Sequence, residues 1–125
     1  MNSKRRGKQT VALTRPPSIA GFASVAGKKE GEGPLASTFD QIGADDTFGE
    51  TSWEKAESAM QRLALSAALE KAGKAASCLD YILAGDLLNQ CIGTGFAVRG
   101  TGVPFFGLYG ACSTMSESLS LAAML

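Results

Sequence analysis

Two short apolar runs, each followed by a turn and a helical pattern, constrain the fold of this chain most strongly. The runs cover residues 79–84 and 103–108, and they are typical of strands buried on both faces. Helical patterns precede the first run, separate the two runs and follow the second. This order of helix, strand, helix, strand and helix predicts an α/β fold with a parallel sheet, right-handed crossovers and helices on the sheet faces.

The first of these helices has the clearest periodicity. Its apolar residues recur at steps of three and four: Trp53, Ala56, Met60, Leu63 and Ala67. Glu57 lies off this stripe. Thr51 and Glu54 match a capping box at the start, and Gly73 is suited to end the helix. The second and third helices are predicted over residues 87–98 and 112–125, and Asp86 is well placed to cap the second.

The composition changes near Thr51, which suggests a boundary there. Residues 1–50 are rich in Gly, Pro, Ser and charge, and they predict a short strand at residues 10–13 followed mostly by loop. Residues 51–125 carry the α/β pattern. We therefore expect an N-terminal strand and loop-rich segment, followed by the start of an α/β domain.

Charge and hydropathy exclude several classes of protein. Twelve basic and twelve acidic side chains cancel, so no nucleic-acid partner is expected. The basic residues at positions 4–6 and 8 are typical of a solvated tail. Neither a secretory signal nor a transmembrane helix is indicated, and a soluble protein is expected. The glycines of residues 93–100 do not match a dinucleotide fingerprint, and we expect no cofactor.

The cysteines and the absence of histidine limit the available chemistry. Cys78, Cys91 and Cys112 are odd in number and lack C-x-x-C spacing, so neither a disulfide framework nor a metal site is predicted. The chain contains no histidine, and a Cys-His catalytic pair cannot be completed within it.

The predicted topology brings candidate site residues to one edge of the sheet. Ligands of parallel α/β sheets bind beyond the carboxyl ends of the strands, and Asp86 and Cys112 each follow one strand. A cysteine at a helix N-terminus is favoured as thiolate. Asn89 lies one turn beyond Asp86. Simpler roles remain open: Cys112 as a small buried side chain, Asp86 as a helix cap and Asn89 as a solvent-facing residue.

The sequence also resembles a known family. Residues 110–115 (GACSTM) are similar to the nucleophile turn of thiolases and β-ketoacyl synthases. The chain as a whole resembles the stage V sporulation protein AD family of spore-forming bacteria. The segments that carry this resemblance are residues 7–10 (GKQT), 29–35 (KEGEGPL), 52–57 (SWEKAE), 83–90 (LAGDLLNQ) and 104–107 (PFFG).

The resemblance implies a thiolase-like fold of two related α/β halves, of which this chain covers roughly the first third and ends inside the cysteine helix. It implies a protein that binds dipicolinic acid and helps its uptake, with calcium, into the developing spore. It further implies partner membrane proteins encoded in the same operon, a homodimer at full length, and a place in the forespore or spore, soluble or peripheral at the inner membrane. An incomplete sheet is expected to expose apolar surface.

Two functions therefore stand as hypotheses. In the first, the thiolase-like crevice is a dipicolinate pocket in which Cys112 lines the wall and two helix N-termini face the dicarboxylate. Asp86 repels an anionic ligand there unless a cation such as calcium, or a proton, intervenes. In the second, the protein is an acyltransferase or condensing enzyme with Cys112 as nucleophile. The binding function is our expectation from the sequence.

Overall fold

The computed structural model describes the backbone of residues 3–125, which form a mixed α/β structure. Three short 3-10 turns, Ala36–Thr38, Ala76–Cys78 and Ala111–Ser113, connect the regular elements. The strands are β1 (Ser3–Arg6), β2 (Thr10–Leu13), β3 (Val25–Ala26), β4 (Gln41–Ile42), β5 (Ile82–Ala84) and β6 (Phe105–Gly107). The helices are α1 (Lys28–Gly31), α2 (Trp53–Ala72), α3 (Ile92–Val98) and α4 (Thr114–Met124).

Within residues 3–125, the six strands form three separate pairs. β1 and β2 make an antiparallel hairpin, whereas β3 pairs with β4 and β5 with β6 in parallel. In the last pair Ile82 lies opposite Phe105 and Ala84 lies opposite Gly107. The parallel pairing of the two apolar runs is therefore confirmed. The thiolase-like fold and the boundary near residue 50 stay predictions.

The N-terminal segment has more structure than the sequence suggested. The strand at residues 10–13 is confirmed, but the basic residues before it belong to β1 and its turn rather than to a free tail. Arg5 Nη2 donates to the carbonyl of Lys8 at 2.6 Å and closes this turn. At the far end of α2, Lys71 forms an ion pair with Asp40 and lies 5.2 Å from the ring centroid of Phe22.

Helix α2 begins and ends almost where its signals predict. Ser52, not Thr51, is the N-cap, because its extended backbone lets its side chain accept the N–H of Lys55 at 3.3 Å. Gly73 ends the helix in the left-handed conformation, with φ of 61°. Of the predicted stripe, Ala56 is buried, but Trp53 at the first turn is 61% exposed.

The strands β5 and β6 are shorter and less buried than their apolar sequences predict. Ile82 is buried and the rest of β5 is half-buried, whereas Phe106 is 45% exposed. The prediction of strands buried on both faces is therefore wrong. The physical reason is that, within residues 3–125, these two strands form a sheet of their own with no third strand beside them.

Helix α3 begins at Ile92, five residues later than predicted. Two preceding residues, Gln90 and Cys91, have φ of 49° and 73°, which a helix does not accommodate. Asp86 holds this conformation because its side chain accepts backbone N–H groups from residues 89 and 91. The hydrogen bonds that the Asp86 side chain accepts thus take the place of the first turn of the predicted helix.

The core is built mainly from small residues where α2 packs on α3 and β3. Its buried apolar members are Ala26, Ala56, Ala59, Ile82 and Ala97. Several large apolar side chains lie at the surface, among them Ile19 at 80%, Phe22 at 75% and Met115 at 72% exposure. The expected exposed apolar surface is therefore present. No helix in the described part of the chain combines the length and apolar character required to cross a membrane.

Candidate functional site

The turns that follow β5 and β6 contact each other at the carboxyl edge of the sheet. A Cβ placed on Gly85 would lie 1.8 Å from the carbonyl oxygen of Leu108 and 2.8 Å from Cγ2 of Thr114. From the turn before α3, the thiol of Cys91 donates to the same Leu108 oxygen at 3.2 Å. The structure thus brings the Asp86 turn and the cysteine turn to one edge, as the parallel topology predicted.

Asp86 is a buried carboxylate that organises the entrance to α3. Its Oδ1 accepts the N–H groups of Asn89 and Cys91 at 3.0 and 3.1 Å. Its Oδ2 accepts both the N–H and the hydroxyl of Thr94, at 3.0 and 2.8 Å. Because Thr94 is the third residue of α3, Asp86 caps this helix from six residues before its start. The sequence predicted Asp86 as the cap directly before the helix; in the structure Cys91 holds the N-cap position, and Asp86 satisfies the Thr94 N–H from earlier in the turn.

The ionisation of Asp86 follows from these contacts. Burial alone would raise its pKa, but the hydrogen bonds from Thr94, Asn89 and Cys91 outweigh burial and lower the pKa below 3.8. Burial raises the pKa of the Cys91 thiol, and the Asp86 charge raises it further. Asp86 is thus the anion at this helix N-terminus, and Cys91 carries a neutral thiol.

Asn89 lines a cleft of about 540 Å³ between α2 and α3. Ile92 and Phe96 of α3 supply apolar wall, and both are more than half exposed. Arg62 of α2 lies on the cleft too, 3.7 Å from Glu50. The cleft therefore combines an exposed apolar surface with a mixture of charges.

Cys112 lies in the 3-10 turn immediately before α4 and is exposed. Ala111 before it has φ of 51°, a left-handed conformation that is uncommon for a residue with a Cβ. The turn is closed by Ser113, whose hydroxyl donates to Gly110 O at 2.6 Å, and by Thr114, whose Oγ1 accepts the Gly110 N–H at 3.1 Å. Burial as a small apolar side chain is therefore wrong for Cys112.

The three predicted site residues do not form a single pocket. Asp86 and Asn89 are joined by a hydrogen bond, but the Asp86 side chain is directed into the protein. Cys112 is not among the described residues that line the Asn89 cleft. Ligand-binding roles for all three, and a nucleophilic role for Cys112, stay predictions.

Sequence reasoning missed a polar contact between α2 and α3. Ser58 is buried and donates to Gly93 O at 2.8 Å, and Glu57 has a buried Oε2 with no hydrogen-bond partner. One signal was available: Glu57 lies one helical turn from both Trp53 and Met60 of the apolar stripe. Within residues 3–125, no three His, Cys, Asp or Glu side chains are grouped so that they could hold a metal ion.

Comparison with known proteins matches almost the whole chain to one family. The family model described as "Stage V sporulation protein AD (SpoVAD)" matches residues 7–125. The chain is 37% identical over 122 residues to "Stage V sporulation protein AD" of Bacillus subtilis (strain 168). That alignment covers 98% of this chain and 36% of the relative, so the chain spans about a third of the relative's length. The chain belongs to the stage V sporulation protein AD family.

Proposed function

We propose that this chain is part of a dipicolinate-binding protein of sporulation with a thiolase-like fold, and that its ligand binds at the carboxyl edge of β5 and β6. Family membership indicates the sporulation role. The observation that carries the site is the contact between the two turns, where Gly85 approaches Leu108 O. Such edges are where ligands bind in parallel α/β sheets.

The two helices at this edge differ in what they offer an anion. Asp86 already occupies the N-terminus of α3 with its carboxylate. Helix α4 has 11 residues, and the exposed Cys112 lies just before it. Glu117 also places a carboxylate in the first turn of α4, beside Gly110. An incoming carboxylate at the start of α4 is therefore expected to need a cation such as calcium beside it.

The repulsion expected from Asp86 is moderated by its surroundings. Its side chain is buried, and its two oxygens accept four hydrogen bonds from Asn89, Cys91 and Thr94. These donors compensate much of its charge, so the carboxylate is less repulsive toward a ligand than a free one. Calcium bound with the dipicolinate would reduce the repulsion further.

The remaining parts of the proposal concern the complete protein. We place it in the forespore or spore, soluble or peripheral at the inner spore membrane, where it helps dipicolinate uptake. Its partners there are membrane proteins of the same operon, and it is a dimer at full length. These statements follow from the family resemblance.

The test is a calorimetric titration with dipicolinate, with and without calcium, after circular dichroism has established folding. Cys112→Ala should weaken saturable binding, whereas Cys78→Ala, which changes another exposed cysteine in a 3-10 turn, should not. Isophthalate, which lacks the ring nitrogen, separates recognition of the dicarboxylate from recognition of the ring. No binding by the folded chain, or equal loss in both variants, would contradict a site at the cysteine turn.

A further inference from the structure

Two carboxyl groups lie close together where α2 packs on α3, and one of them, Asp86, also belongs to the edge proposed above as the ligand site. Glu57 comes from α2, and Asp86 comes from the turn after β5. Asp86 accepts four hydrogen bonds, but Glu57 Oε2 is buried and has no partner. A buried polar atom without a partner costs free energy, so this oxygen needs an explanation.

Gly93 brings the two carboxyl groups to the same small space. A Cβ on this glycine would lie 3.1 Å from Glu57 Oε2 and 3.5 Å from Asp86 Oδ2. The two oxygens therefore border one site that a side chain at position 93 would fill. The hydrogen bond from Ser58 to Gly93 O, 2.8 Å long, holds α2 and α3 together beside this site.

Cations near this site are directed elsewhere. On α2, Lys55 Nζ donates to Thr51 Oγ1 at 3.0 Å, and Arg62 lies 3.7 Å from Glu50. Helix α3 and strand β3, which pack on α2, contain no ionisable residues, and neither do β5 and β6. Besides Asp86, the titratable group of the turn is the neutral thiol of Cys91. The Glu57 carboxyl therefore faces one negative charge without a compensating positive one.

We infer that Glu57 is held as a neutral carboxylic acid whose proton faces Asp86, and that this proton joins α2 to the Asp86 turn as a pH-sensitive latch. Protonation turns the unpartnered Oε2 into a donor, and Asp86 is its acceptor. Loss of the proton leaves two like charges beside Gly93, which weakens the packing of α2 on the turn that carries Asn89. The latch requires no ligand to be bound, although it shares Asp86 with the proposed ligand site.

The electrostatics agree with this geometry. Burial raises the pKa of Glu57 above 4.5, the Asp86 charge raises it further, and a backbone hydrogen bond from Leu87 only partly opposes them. A carboxyl with a raised pKa binds more protons in the folded state than in the unfolded state. Its contribution to stability is therefore present at low pH and is lost as the pH rises through the folded pKa.

The experiment compares the melting temperatures of the chain and Glu57→Gln over a pH series. Glutamine has the shape of the neutral acid and keeps a donor at every pH. We expect the two proteins to melt alike below about pH 4, and the variant to melt a few degrees higher at about pH 8. Glu54→Gln is the matched control, because it removes a carboxylate from the exposed first turn of the same helix, where the pKa is lowered instead.

A second measurement uses the unmodified chain and does not depend on a variant folding. The carboxyl carbon of Glu57, followed by NMR, should titrate above 4.5, the ordinary value for this group. Titration at or below that value would overturn the inference. Parallel pH profiles for the chain and Glu57→Gln would do the same.

Discussion

Thr94 binds Asp86 twice, through its hydroxyl at 2.8 Å and through its backbone N–H at 3.0 Å. No solvent reaches Thr94, whose relative exposure is 0%, and Asp86 is only 4% exposed. The same carboxylate also accepts the N–H groups of Asn89 and Cys91. A single side chain thus fixes the whole path from β5 to α3.

Asp86→Asn is expected to destabilise the chain by about 2 kcal/mol or more, because an amide presents a donor group to N–H groups that need an acceptor. Thr94→Val keeps the shape and the backbone N–H but removes one hydroxyl, and it should cost about 1 kcal/mol. Urea unfolding followed by circular dichroism measures both changes. A smaller loss for Asp86→Asn than for Thr94→Val would contradict the organising role of the carboxylate.

The Asp86 contacts also predict acid sensitivity. Because the folded pKa of Asp86 is lowered below 3.8, its contribution to stability is present above that value and is lost as the pH falls through the folded pKa. The protection factor of the Thr94 amide, which compares its exchange rate with that of a free peptide at the same pH, should therefore fall on acidification below about pH 4. The amide of Ala59, in the buried part of α2, serves as the internal reference. An equal loss of protection at both amides would indicate global unfolding instead.

Because the two turns approach so closely, adding one methyl group at Gly85 is expected to lower the stability of the chain unusually strongly. Gly85→Ala would place its Cβ 1.8 Å from Leu108 O, a backbone atom that cannot move without disturbing β6, so a loss of at least about 3 kcal/mol is expected. Gly95→Ala is the matched control. Its Cβ meets nothing within 4 Å inside α3, and the change should stabilise by about 0.5–1 kcal/mol. Similar effects of the two alanines would argue against the turn contact.

The three cysteines should differ in reactivity toward iodoacetamide. Cys91 is half-buried, its thiol donates to Leu108 O, and its pKa is raised by burial and by Asp86, so it should be alkylated slowest. Cys78 and Cys112 are exposed and should react first. Mass spectrometry of peptides after timed labelling gives the three rates. Early modification of Cys91 in the folded chain would contradict the described turn.

How far the sequence predicts the structure depends on the range of the interaction concerned. The ends of α2 follow from local signals, the hydroxyl residues before Trp53 and the left-handed Gly73, and they are predicted to within one residue at the cap. The start of α3 is mispredicted because Asp86 reaches Thr94 across eight residues. That reach depends on the fold of the turn and leaves no local pattern.

In the candidate site, too, one part was predictable from the sequence and another was not. Parallel strand order places the turns of Asp86 and Cys112 at one edge, and the structure agrees. Whether a side chain at this edge points inward or outward is decided by packing. Asp86 is buried among backbone donors and Cys112 is exposed, and neither outcome can be predicted from a residue's position after a strand.

The left-handed residues at the sheet edge have a consequence for work with fragments. Gln90, Cys91 and Ala111 each carry a Cβ at positive φ, which costs about 1 kcal/mol or more per residue in a free chain. The turns that contain them are held by the hydrogen bonds of Cys91 to Asp86 and to Leu108 and of Gly110 to Thr114. A synthetic peptide that reproduces residues 108–115 would therefore relax into other conformations, and antibodies or inhibitors selected against it would recognise a shape that the protein does not present.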